Sequence, residues 1–167
     1  MPQLLEAFPP VAASHAHTLI LGSMPGAASL TAGRYYAHPR NQFWPLMQDV
    51  LGIDADLPYE QRLAQLQAQG FALWDVLGAC EREGSLDTRI DPKSIQVNDF
   101  ADFLAEHPCI NRIFFNGAYA EKAFRTHALR TLPWPDSLQL RRLPSTSPAN
   151  ASLSLAQKRA AWRMIKP

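Results

Sequence analysis

The chain has 167 residues, 47% of them apolar and 19% charged, with a formal net charge of +1 at pH 7. That length suits one domain with a substantial core, taken here as residues 1–167. Near-neutral charge excludes a global positive field, so any nucleic-acid contact must come from a local basic surface, and no apolar run approaches the roughly 20 residues of a membrane helix.

The first ten residues, Met1 to Pro10, lack a basic segment followed by a long apolar run, so a cytoplasmic protein without a membrane partner is expected. Cys80 and Cys109 stand alone, too few to hold an iron–sulfur cluster or a four-thiolate zinc, and both are expected to be free, buried thiols.

In chain order, His17 to Gly22 is a short β-prone apolar run ending at glycine, which predicts a buried strand. Ser23 to Arg40 reads as loop. Pro39 suits the first turn of a helix, whose apolar positions Phe43, Leu46, Met47, Val50 and Leu51 recur at helical spacing until Gly52. Tyr59 to Gln69 is a second helix before Gly70, and Phe71 to Val76 a second strand.

Cys80 to Asn98 reads as a long polar connection, functional or mobile, and Asn98 as the cap of a helix through Leu104. Ile110 to Phe115 predicts a third strand, and Asn116-Gly117 a turn into the helix Ala118 to Leu129. Leu138 to Leu143 is a fourth strand candidate, and Ser154 to Ile165 a closing helix, capped by Asn150, Ser152 or Ser154. Alternating strands and helices predict an α/β fold, a three-layer αβα sandwich with a central, mainly parallel four-stranded sheet.

Two polar segments carry the chemistry. Gly22-Ser-Met-Pro-Gly26 is either a turn whose backbone amides cradle a ligand or a plain strand-ending turn; it is neither a Walker loop nor GxGxxG. Tyr35 to Trp44 is dense in aromatic, basic and amide groups that stack on bases and bond to their edges or to phosphates. Phe43 and Trp44 fit core packing better, Tyr36 and Asn41 fit ligand contact, and His38 fits either an imidazole acid or a local hydrogen bond. The second segment, Leu143-Pro-Ser-Thr-Ser-Pro-Ala-Asn150, is a rigid hydroxyl-rich loop suited to gripping a phosphodiester, or a turn into the last helix. Lys158, Arg159 and Arg163 read most simply as a solvated helix face, and Arg141 and Arg142 point to opposite sides of their strand.

Gly22 to Gly26, Tyr35 to Trp44, Phe114-Phe-Asn-Gly117 and Leu143 to Asn150, in that order, resemble the uracil-DNA glycosylase superfamily, most closely its hypoxanthine-DNA (deoxyinosine) glycosylase branch. The resemblance implies a single DNA glycosylase domain that removes a deaminated base without metal or organic cofactor. Related mismatch glycosylases carry a polar residue, usually asparagine, where this chain has Met24, and a thioether cannot orient water. The resemblance therefore moves the catalytic asparagine to Asn41, with His38 as a further catalytic candidate. It implies stacking of the flipped base on Tyr36, and base contacts from Gly22, Ser23, Met24 and Asn116; an Asn-Gly turn explains Asn116 equally well. Pro25, Gly26, Arg40, Ser145, Thr146, Ser147, Pro148 and Asn150 are the implied DNA contacts.

With no Asp or Glu in either loop, a carboxylate nucleophile is not expected, and no lysine is placed for a Schiff base. The expected reaction is hydrolysis of the N-glycosidic bond, hypoxanthine preferred over uracil or xanthine, leaving an abasic site. The expected partner is double-stranded DNA bearing a deaminated base, with single-stranded DNA as a further candidate, and the expected state is monomeric. Competing readings are a mismatch-specific uracil or thymine glycosylase, a non-catalytic binder of damaged DNA, and a small-molecule nucleotide hydrolase.

Overall fold

The computed structural model of the protein describes residues 3–131 and 134–167. Among them the chain runs β1 (Leu4–Glu6), β2 (Thr18–Gly22), α1 (Ala27–Ala32), α2 (Phe43–Leu51), α3 (Tyr59–Ala68), β3 (Phe71–Asp75), β4 (Leu77–Glu81), β5 (Gln96–Val97), α4 (Phe100–Glu106), β6 (Arg112–Asn116), α5 (Ala118–Ala123), β7 (Gln139–Leu143) and α6 (Leu155–Trp162). Helix α5 continues into a π-helical turn, Phe124–Ala128.

The central sheet has the order β3-β2-β6-β7, and all three of its pairings are parallel. Alternation along the strands divides the core. Ile20, Leu73 and Phe114 pack with Phe43, Met47, Leu66 and Trp162 from α2, α3 and α6. Leu19, Leu21, Trp74, Ile113 and Phe115 pack on the other face with Phe100, Phe103, Ala120 and Phe124. Helices thus cover both faces, which is why β2, β3 and the middle of β6 are almost wholly apolar, while the edge strand β7, Gln139-Leu-Arg-Arg-Leu143, stays largely exposed.

Several expectations are corrected. The segment expected as loop contains α1, six residues closed by Gly33 at φ 67, too short to show apolar periodicity. Pro39 lies in the turn before α2; the proline of the first helical turn is Pro45, where its missing N–H costs nothing. The Cys80 to Asn98 connection is structured: β1, β4 and β5 form a separate antiparallel sheet, ordered β1-β4-β5. Asp99 caps α4 by accepting from Asp102 N–H, while the Asn98 amide donates to the Asp75 carbonyl at 2.7 Å. Cys80 is buried but Cys109 is exposed. Lys158 is 1% exposed, on no solvated face, because its Nζ turns inward to the Asn150 carbonyl at 2.8 Å. Ser154, among the three candidates, caps α6 in a capping box with Gln157.

Candidate active site

The carboxyl ends of parallel strands gather at one edge of a sheet, where such folds bind ligands. Here β2 ends at Gly22, β3 at Asp75, β6 at Asn116 and β7 at Leu143. A cavity of about 140 Å³ opens over these ends. The predicted residues Gly22, Ser23, Met24, Pro25, Gly26, Tyr36, His38, Asn41, Asn116, Ser145, Thr146, Ser147 and Pro148 all line it. Arg40 and Asn150 do not; Arg40 is exposed beside it, and Asn150 braces the second loop from behind.

Gly22 is required by close approach, since a Cβ there would stand 2.5 Å from Asp75 Oδ1 and 3.2 Å from Tyr36 Oη. The turn that follows is held by the 80–98 connection. Arg82, 8% exposed, donates to the Pro25 carbonyl at 2.8 Å, Ser85 Oγ accepts from Ala27 N–H, and Ser23 Oγ donates to Asp87 Oδ1 at 2.7 Å.

Tyr36 has φ 58, the one positive φ of a non-glycine among the described residues. Such a conformation is costly for a bulky side chain and persists where surrounding structure imposes it. Its ring stacks on Phe43 at 4.0 Å, and Phe43 is fully buried, as is most of Trp44, so both are core residues. Burial, then the nearby Asp75 carboxyl, raises the Tyr36 phenol, with the Asn116 amide opposing.

Asn41 Oδ1 accepts from Phe43 N–H at 2.9 Å, which fixes the amide's orientation and leaves one oxygen lone pair and both N–H donors. His38 Nδ1 accepts from Arg40 N–H at 3.0 Å, so the ring proton sits on Nε2. Asn116 is committed on one side: Nδ2 donates to Thr146 Oγ1 at 3.0 Å and Oδ1 accepts from Thr146 N–H at 2.9 Å. One donor and one lone pair remain. Gly117, at φ 100, makes the strand-to-helix turn, and its N–H donates to the Leu143 carbonyl.

The second loop is stiff. Ser145 and Ser147 accept from backbone N–H groups two residues on, Trp162 Nε1 donates to the Pro144 carbonyl at 2.9 Å, and Lys158 holds Asn150. Among the described residues no Lys or Arg lines the cavity, but Arg34 and Arg62 line an adjoining groove, both over the ring of Tyr59.

Residues 9–166 match the profile of the Uracil DNA glycosylase superfamily. The chain belongs to that superfamily. Its relatives include a Hypoxanthine DNA glycosylase of Methanosarcina acetivorans, 33% identical over 161 residues, covering 96% of each chain. Another, from Methanosarcina barkeri, is 39% identical over 113 residues, covering 67% of this chain and 70% of that one. The fold is similar to a solution NMR structure of a proposed uracil DNA glycosylase from Methanosarcina acetivorans, with TM-score 0.79, 31% identity, and coverage of 99% of this chain and 100% of that one.

Within this superfamily member, two carboxyls reach the cavity that motif reading did not find, Asp75 and Asp87. Burial, reinforced by Asp87 and opposed by Arg82, pushes Asp75 up to about 7. Asp87 is also raised by burial, against its Ser23 hydrogen bond and Arg82. The available signal was a lone acid ending an apolar strand, at the sheet edge where ligands collect.

Proposed function

We propose that the protein flips hypoxanthine out of duplex DNA and hydrolyses its N-glycosidic bond, leaving an abasic site. The observation that carries this reading is the convergence of Tyr36, Asn41, Asn116 and the Ser145 loop around one cavity next to Gly22. Both relatives named above bear the name Hypoxanthine DNA glycosylase, which supports the lesion.

Extruding a base costs about a few kcal/mol, least at a weak pair such as one made by a deaminated base. Ser145, Ser147 and Pro148, on a loop already rigid before DNA arrives, press on the backbone and enter the stack. Backbone groups of Gly22 to Gly26 receive the extruded nucleotide, and Arg34 and Arg62 give the flanking phosphates a local positive surface. The base lies on the Tyr36 ring, whose other face is taken by Phe43. Bond cleavage builds oxocarbenium character on the sugar and negative charge on the base. Asn41 orients the attacking water with its remaining lone pair; Asn116 offers one donor and one acceptor to the base edge, and His38 one Nε2 donor. The chain acts as a monomer in the cytoplasm, without a covalent enzyme intermediate.

The test is a panel of duplexes carrying inosine, uracil or xanthine. Release of hypoxanthine fastest, with strand scission only after alkali, is the expected result. Faster release of uracil supports the mismatch-glycosylase reading, and binding with no release on any lesion supports a silent binder.

A further inference from the structure

Among the described residues, five buried side-chain polar atoms have no hydrogen-bond partner, and two of them belong to residues lining the cavity: Asp75 Oδ2 and Tyr36 Oη. Asp75 is 4% exposed, and among the described residues its Oδ2 has no hydrogen-bond partner. An unsatisfied buried polar group is unfavourable and calls for an explanation. Structural duty does not supply one, because only the Asp75 backbone is used, by the sheet and by Asn98.

We propose that Asp75 is a further catalytic residue, whose carboxyl touches the flipped purine and gives its proton to the N7 nitrogen as the C1′–N9 bond breaks. The inference rests on the hypoxanthine reading above. Asp75 Oδ1 and Tyr36 Oη approach the same point over Gly22, so the carboxyl lies at the hydroxyl end of the Tyr36 ring. A base lying on that ring turns an edge toward the acid. The facing groups set its protonation: Asp87 disfavours the anion, Arg82 favours it less strongly than burial opposes it, and the Tyr35 and Tyr36 phenols stay protonated. His38 shares the cavity. The acid therefore holds a proton at and below about pH 7.

The balance closes. The electron pair of C1′–N9 leaves with the base, the Asp75 proton moves to N7, and hypoxanthine departs neutral as its N7–H tautomer. Water oriented by Asn41 adds to C1′, and its proton returns to the Asp75 carboxylate. One water is consumed. Uracil has no counterpart of N7, so this acid favours a purine lesion.

Single-turnover release from an inosine duplex is measured between pH 5.5 and 9, for wild type, Asp75→Asn and His38→Gln. Wild type should lose about tenfold in rate per pH unit above about 7. Asp75→Asn should be at least about 100-fold slower at pH 6.5 and lose that limb, while His38→Gln keeps the limb at whatever rate it retains. Binding of Asp75→Asn to a duplex with non-cleavable 2′-fluoro-deoxyinosine should stay within about threefold of wild type, which a merely structural lesion would not allow. A flat wild-type profile overturns the proposal even if the variant does not fold, as does an Asp75→Asn rate within about threefold of wild type, or a limb that disappears only in His38→Gln. Wild type releasing no hypoxanthine at any pH overturns the functional reading and this inference together; release that is indifferent to Asp75 overturns the inference alone.

Discussion

Along the cavity wall made by Asn116 and the Pro144 to Asn150 segment, polar atoms are paired with one another; along the wall made by Gly22, Tyr36 and Asp75, buried oxygens face no partner. The first wall is finished before a ligand arrives. Its hydrogen bonds use part of the capacity of Asn116 and Thr146 to hold the end of β6 against the second loop, and what remains for DNA is shape, one Asn116 N–H donor and a few lone pairs. The second wall keeps its capacity unspent, at a cost in stability that ligand binding would relieve. A strained Tyr36 backbone on that same side is a second sign of function outweighing local comfort.

Four substitutions bear on this contrast, the largest effect first. Gly22→Ala places a methyl 2.5 Å from Asp75 Oδ1 and displaces the unpaired wall. Base release should fall by about 100-fold or more in single-turnover assays. Asn116→Ala strands the Thr146 N–H and hydroxyl, so urea unfolding should register a loss of about 1–3 kcal/mol, with DNA binding weakened in parallel.

Asp75→Asn should act oppositely on stability. The folded protein holds this carboxyl at about 7, above its ordinary value of 3.8. Its raised position contributes stability that is present at pH below 3.8 and lost as pH climbs through about 7. The variant should therefore melt higher than wild type at pH 8.5 and close to it at pH 4, by calorimetry. Ser147→Ala removes one half-exposed acceptor from the paired wall, and unfolding should shift by less than about 1 kcal/mol.

The paired wall was partly legible in sequence. Asn116, Ser145 and Ser147 stand in recognisable segments after apolar strands, and short β-prone runs ending in glycine or Asn-Gly marked the central sheet well. Partnerships were not legible, because Asn116 meets Thr146 across 30 residues of chain. The unpaired wall was harder. Asp75 stands on a strand end outside both motifs, where the pattern of polar loops gives no sign of it. The antiparallel sheet escaped because β1 and β5 have three and two residues and pair across long stretches of chain. Lys158 sits on a helix of mixed composition, where apolar spacing gives no sign that a lysine turns inward.

In the function proposed above, this cavity hydrolyses the bond between hypoxanthine and deoxyribose with a water placed by Asn41. Single-turnover hypoxanthine release from an inosine duplex, by wild type and Asn41→Ala side by side, tests it most directly. The expected result is release by wild type, an intact strand carrying an abasic site, and a loss of about 100-fold or more in the variant despite retained DNA binding. Wild type without release, or Asn41→Ala with full activity, would contradict it.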